Sequence, residues 1–141
     1  MPLKLEIVTP EARIFSDEVD TVVLPGYEGE MGVLPQHANL VTTLNHGELF
    51  YTKGGKSNHL AVGEGLVEIT GTTTRILTDM AIGVEDIDEK AVEEALERAK
   101  TALEAIKAKG HSTGDEEVAA TMAMIQRSTA QLHVKRKRRT L

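Results

Sequence analysis

Cysteine and tryptophan are both absent from the 141 residues, and two Phe with two Tyr are the only aromatic carbocycles. Without thiols the chain can form no disulfide, no Cys-ligated zinc site and no thiol nucleophile. With so few rings, any core must be assembled from Val, Leu, Ile, Ala and Met, and platforms for stacking nucleobases are scarce. No apolar run approaches ~20 residues, so nothing reads as a membrane-spanning helix. The opening does not read as a signal peptide either: Leu3-Lys4-Leu5-Glu6-Ile7 alternates in the manner of a strand. The last absence is local. From Val118 onward there is no Asp or Glu, against six Lys or Arg.

That local absence sits in a chain of net charge −6. Residues 1–84 carry eleven acids against five bases, and residues 85–117 repeat that count. Five of the last seven residues, Lys135 to Arg139, are then cationic. Such an end seeks an acidic counterpart in its own body, another protein, a nucleic acid or a membrane face. The length suits one domain, or a small domain with an appendage, and 40% apolar residues exclude wholesale disorder.

Two hydrophobic periods divide the chain. Up to Val84 the period is two, with strands expected around Leu3–Ile7, Val19–Leu24, Glu48–Lys53, His59–Val62, Leu66–Ile69 and Thr73–Thr78. Thr9-Pro10-Glu11, Pro25-Gly26, Gly54-Gly55 and Gly71-Thr72 punctuate them. Short strands at this spacing without helices between them predict an antiparallel β-sandwich or barrel. From Glu85 the period is 3.6. Val92, Ala95, Leu96, Ala99, Leu103 and Ile106 form one stripe, with Asp86 or Asp88 as cap, an Asp86–Glu89 capping-box spacing, and Gly110 as terminator. After His111 to Gly114, a second helix is expected with Thr113 and Glu116 at capping-box spacing and a stripe of Val118, Met122, Ile125, Thr129 and Leu132. The fold class is therefore α+β: an N-terminal antiparallel β-sandwich (1–84) followed by a C-terminal two-helix antiparallel hairpin (85–141). The hairpin's Ala-rich seam is thin and must lean on the sandwich or on a partner. Antiparallel pairing sets the acidic start of the first helix near the basic end of the second.

Catalytic chemistry finds little footing. Lys53-Gly54-Gly55-Lys56-Ser57 ends like a phosphate-binding loop, but that motif needs Gly where Phe50 stands and a helix where a strand is expected. The five histidines, His37, His46, His59, His111 and His133, show no close pairing of the kind that holds a metal. No serine lies in a nucleophile elbow. A non-catalytic protein is expected, without cofactor or metal.

Pro25-Gly26-Tyr27-Glu28-Gly29-Glu30-Met31-Gly32-Val33-Leu34-Pro35-Gln36-His37-Ala38 carries the pattern P-G-x-x-G-E-x-G-V-L-P-x-H. With the opening Leu3 and Glu6-Ile7-Val8-Thr9-Pro10, and with Gly63–Leu66 and Ala81–Ala91, it resembles the epsilon subunit of bacterial F-type ATP synthase. The resemblance implies a rotor subunit on the cytoplasmic face of the bacterial plasma membrane, touching the membrane only through its complex. The sandwich would bind the gamma subunit and the c ring, with Glu30, Met31, Gly32 and His37 in the contact region. The hairpin would regulate hydrolysis, its extended second helix meeting acidic parts of the alpha and beta subunits through Arg127, Lys135, Arg136, Lys137, Arg138 and Arg139. Some family members bind ATP through I/L-D-x-x-R-A. Here Ile87-Asp88-Glu89-Lys90-Ala91 resembles it with Lys90 in the place of Arg, and lysine lacks the planar fork of arginine, so ATP binding is expected to be weak or absent. The alternative is a β-sandwich nucleic-acid-binding protein using the basic C-terminal helix, against which stand the acidic body and the few aromatics.

Overall fold

The computed structural model describes residues 3–35, 38–110 and 116–139, with side chains as far as Lys137. Ten strands come first: β1 (Leu3–Val8), β2 (Arg13–Val19), β3 (Thr21–Gly26), β4 (Gly29–Val33), β5 (Leu40–Leu44), β6 (Gly47–Lys53), β7 (Lys56–Val62), β8 (Gly65–Thr70), β9 (Thr73–Thr78) and β10 (Ala81–Gly83). A 3-10 turn at Val84–Asp86 leads into α1 (Glu89–Ala108) and α2 (Glu116–Arg139). Neighbouring strands run β10-β7-β6-β3-β5-β8-β9-β1-β2, with β4 added on β3. β3 joins the layers, because Val22 pairs with Val33 of β4 and Tyr51 of β6 while Gly26 reaches Leu44 of β5.

The fold is the β-sandwich followed by two helices that the hydrophobic periods imply. Leu3, Leu5 and Ile7 are fully buried, and with Val22, Leu24, Leu49, Val67, Ile69 and Ile76 they form an aliphatic core. Each such side chain contributes about 1.5–3 kcal/mol on burial. The scarce rings lie at its margin, where Phe15 and Tyr51 stack with centroids 4.8 Å apart. Gly54 and Gly55, at φ +60° and +79°, make the tight reversal between β6 and β7. The loop-like Gly-Lys-Ser sequence is therefore a hairpin.

Several expected details are corrected. Val19–Leu24 is not one strand: Val19 ends β2, and Asp20 turns the chain, its N–H donating to the Thr52 carbonyl at 2.7 Å and its carboxylate accepting from Gly54 N–H at 3.0 Å. Pro25 and Gly26 are the last two residues of β3 and not a turn beyond it, and the Pro25 carbonyl accepts from Asn45 N–H at 2.8 Å. The sandwich is not wholly antiparallel, for β1 runs parallel to β9, with Ile7 beside Ile76. Pairing between the first and ninth strands is independent of any hairpin, so no tight turn dictates its direction.

At Gly65 backbones approach so closely that a Cβ would lie 1.8 Å from the Leu77 carbonyl oxygen. Because that obstacle is main chain, Gly65→Ala is expected to destabilise the protein by about 2–4 kcal/mol. Equilibrium urea unfolding measures it, and a loss below about 0.5 kcal/mol would show that β8 and β9 can separate freely.

The α1 stripe is as expected, with Leu96, Ala99 and Ile106 buried and Val92, Ala95 and Leu103 half-buried. Its cap is Asp88, whose carboxylate accepts from Ala91 N–H at 3.1 Å. Asp86 belongs to the preceding 3-10 turn, so the Asp86–Glu89 capping box does not form. The α2 stripe differs more. Val118 and Leu132 are buried and Ile125 half-buried, but Met122 and Thr129 are exposed, and Ser128, Ala130 and Val134 are buried instead. The cause is a second partner: α2 packs on α1 and also on β6 and β7 of the sandwich. The Thr113 cap and Gly114 fall outside the described residues.

Candidate functional site

Three surfaces gather the residues that sequence reasoning singled out, together with some that it passed over. The first is the β3–β4 hairpin. Glu30, Met31 and Gly32, expected in the contact region, form part of β4 and pair with Pro25, Leu24 and Val23. Two glycines weaken the strand signal there, and pairing with β3 overrides that local preference. Alternation sends Glu30 and Gly32 outward, whereas Met31 is half-buried and packs against the core. Tyr27 at the tip is 74% exposed, beside a shallow recess of about 450 Å³ lined by Gly26–Met31 and Thr42. Leu34 is exposed nearby. His37 lies outside the described residues.

The second surface is the outer face of β1, β9, β8 and β5. Register aligns Val8 with Leu77, Leu77 with Leu66 and Leu66 with Thr43, and Val41 lies diagonally adjacent. Leu66, Leu77 and Val41 are all exposed. Sequence reasoning counted Leu66 within a strand but missed this row. The available signal was phase: in Leu66-Val67 and Ile76-Leu77 two consecutive apolar residues cannot both face the core. Two residues along, on the same face, lies a charged row, Glu6–Arg75–Glu68.

Glu6 is buried to 7% exposure, with Arg75 Nε at 3.0 Å and Lys4 Nζ at 3.3 Å. The hydrogen bond from Arg75, then that from Lys4, holds its pKa below the ordinary glutamate range. Its contribution to stability is therefore complete above the unfolded-state pKa and is lost as pH falls through the lower folded value. In Glu6→Gln the urea midpoint should lie below that of the parent at a constant gap above about pH 5.5, and the gap should shrink under more acid conditions. A gap independent of pH would remove the charge from the explanation. Asp17, likewise lowered by Lys53 and by Glu18 N–H, remains in the variant, so some acid sensitivity persists.

The third surface is the seam between hairpin and sandwich. Ala61, Ile87 and Val134 are buried together, with Met80, Ile82, Val84 and Val92 packed around them. Polar ties flank this small apolar contact. Arg127 reaches Asp79 at 3.4 Å, Gln131 Nε2 reaches Met80 Sδ at 2.9 Å, and Lys135 Nζ donates to the Val84 carbonyl at 3.0 Å. Arg136 donates to Glu89 at 2.8 Å and also to Glu93, and Lys137 Nζ lies 3.6 Å from Glu48. The acidic start of α1 thus meets the basic end of α2. Exposed pairs of this kind are screened by solvent and orient the helices more than they stabilise them. The Arg138 and Arg139 side chains lie outside the described set.

The residues considered for ATP are dispersed in role. Ile87 is buried in the seam, Asp88 caps α1 with the Ala91 N–H, and Lys90 is exposed. In strict register the six-residue motif begun at Ile87 places its Arg at Ala91 and its Ala at Val92, which corrects the match to Lys90. Among the described residues no three His, Asp or Glu cluster as a metal site, and no helix is long and apolar enough to cross a membrane.

Residues 2–84 match the family model described as ATP synthase, Delta/Epsilon chain, beta-sandwich domain. An ATP synthase epsilon chain of Carboxydothermus hydrogenoformans is 45% identical over 101 residues, covering 72% of this chain and 75% of that relative. One of Herpetosiphon aurantiacus is 38% identical over 139 residues, covering 99% of this chain and 98% of its own length. Among solved structures, a chain of the Euglena gracilis mitochondrial ATP synthase OSCP/F1/c-ring assembly is 23% identical with a TM-score of 0.65, over 99% of this chain and 80% of that one. A chain of the Tetrahymena thermophila mitochondrial ATP synthase central stalk and c-ring has a TM-score of 0.54 at 12% identity, covering 98% of this chain and 96% of that one.

Proposed function

The chain belongs to the ATP synthase epsilon-chain family, and from that premise we propose that it is a non-catalytic central-stalk subunit that links the catalytic head to the c ring and restrains ATP hydrolysis through its helices. The observation that carries the coupling role is the row Val8, Leu77 and Leu66 with neighbouring Val41. An exposed apolar row on an otherwise polar sheet marks a protein interface, and the gamma subunit is its proposed occupant. The β3–β4 hairpin, with Tyr27 and Glu30 exposed, is the proposed contact with the c ring. In this reading the protein is peripheral, held on the cytoplasmic face of the bacterial plasma membrane by its complex.

Regulation is assigned to α2. Its end is rich in cations, and acidic segments of the alpha and beta subunits are the proposed target when the hairpin extends. The nucleic-acid alternative gains no support, because Arg127, Arg136 and Lys137 face acidic groups of the same chain. Replacing Lys135, Arg136, Lys137, Arg138 and Arg139 together by Gln is expected to raise ATP hydrolysis by the reassembled complex several-fold with little loss of synthesis. Charge complementarity of this kind is screened by salt, so the difference from the parent should narrow as ionic strength rises. Equal inhibition by variant and parent at every salt concentration would mean that bulk, not charge, stops rotation.

A further inference from the structure

The outer face of β1, β9, β8 and β5 holds an arginine that the fold has prepared but not used up. Glu6, Arg75, Glu68 and Val41 follow one another across these four strands. Their row shares its face with Val8, Leu77 and Leu66, two residues along each strand. Glu6 is the buried member at 7% exposure, whereas the Arg75 side chain is 47% exposed. A carboxylate withdrawn from water needs compensation, and Glu6 receives it from Arg75 Nε at 3.0 Å and Lys4 Nζ at 3.3 Å.

That bond occupies one Arg75 nitrogen. Among the described residues the side chain makes no other ion pair or hydrogen bond, so Nη1 and Nη2 keep their donors free. Glu68, its neighbour across β8 and β9, is exposed and forms no ion pair with it. Because Nε is tied to a nearly buried acid, the guanidinium is oriented before any partner arrives, and less rotamer freedom is lost on binding. Its remaining fork matches a carboxylate in two places. Beside it runs the exposed apolar row, and an arginine at the centre of an apolar contact is a frequent hot spot.

We infer that Arg75 is a specificity-determining contact of this face, held by Glu6 so that its two terminal nitrogens receive an Asp or Glu side chain of the gamma subunit. The inference rests on the gamma reading above and deepens it by naming the chemistry of the partner's group. An apolar row alone can slide along a complementary apolar surface, whereas an ion pair beside it fixes the register. Were Arg75 only a counter-ion for Glu6, its loss would be felt in folding and not in binding.

The test is titration of the full-length chain into the catalytic head assembled with gamma but lacking this subunit, at low and high salt. Arg75→Gln should weaken binding at least tenfold at low salt and flatten its salt dependence, since a charge-assisted contact is lost. That substitution also deprives the buried Glu6 of its main partner. Glu6→Gln combined with Arg75→Gln removes both charges and should lose the same affinity with the fold intact, as urea unfolding checks. Glu6→Gln alone keeps the guanidinium but frees its plane, for a loss of roughly threefold. Arg75→Lys keeps the charge without the fork and should recover only part of the affinity; full recovery would overturn the two-point contact. Binding by the doubly neutral variant within twofold of the parent, with the parent's salt dependence, overturns the inference if Leu66→Asp with Leu77→Asp still abolishes binding. Should that apolar variant bind as the parent does, the gamma reading itself fails.

Discussion

Leu66→Asp with Leu77→Asp is expected to abolish assembly with the gamma subunit while leaving the sandwich folded. Both side chains are exposed, at 48% and 41%, so neither substitution places a carboxylate in the core. They face each other across β8 and β9, and two anions at paired positions repel one another and any apolar partner. Residues at the centre of an interface each contribute about 2 kcal/mol or more when they are hot spots, which makes the expected loss of affinity at least 100-fold for the pair. Calorimetric titration with purified gamma reads that loss, and urea unfolding checks the fold. Lys56→Asp, on the distant β6–β7 hairpin, serves as the control of equal charge sign. Binding by the double variant within tenfold of the parent would place gamma elsewhere on the sandwich.

The second large effect concerns docking of the helices. Val134 has no exposure and packs with Ile87 and Ala61, the centre of a contact with few other fully buried members. An aspartate there would have to lose its hydration or neutralise, at a cost of several kcal/mol. A seam that small cannot absorb such a cost, so undocking is the cheaper response. In Val134→Asp, hydrogen exchange in α1 and α2 should accelerate at least 100-fold while β1 and β6–β9 keep their protection. Val134→Ala should give the same pattern more weakly. Simultaneous loss of protection in the strands would show that helices and sandwich are one cooperative unit.

These two surfaces were unequally legible in the chain. Strands with clean alternation and a glycine turn, such as β8 and β9 around Gly71, could be read directly. β2 could not, because it lies at a sheet edge and carries Arg13, Ser16, Asp17 and Glu18 among few apolar residues. β4 was hidden by Gly29 and Gly32, and β5 by the exposure of Leu40 and Val41, which removes the alternation that signals burial. α1 showed its stripe because its buried positions follow one period, whereas α2 serves two partners and therefore two overlapping stripes. Of the candidate site, the basic end was plain from charge alone. Its partners Asp79 and Glu48 were not, because they lie on strands forty-eight and eighty-nine positions away from Arg127 and Lys137, respectively, or beside them, and no local spacing connects them. The apolar row was missed for a similar reason: it is assembled across four strands.

The parallel pairing of β1 with β9 bears on how the protein is made. On the ribosome, β1 emerges first, yet one of its two sheet neighbours is completed only at Thr78. Until then its apolar residues Leu3, Leu5 and Ile7 have only the β2 edge strand beside them in the sheet. Contacts so distant in sequence close late and slow folding, and a nascent chain stalled before β9 would present an unfinished sheet edge prone to association. Synthesis of the sandwich is therefore a wait for its ninth strand, and the helices that follow emerge after the surface on which they dock is complete.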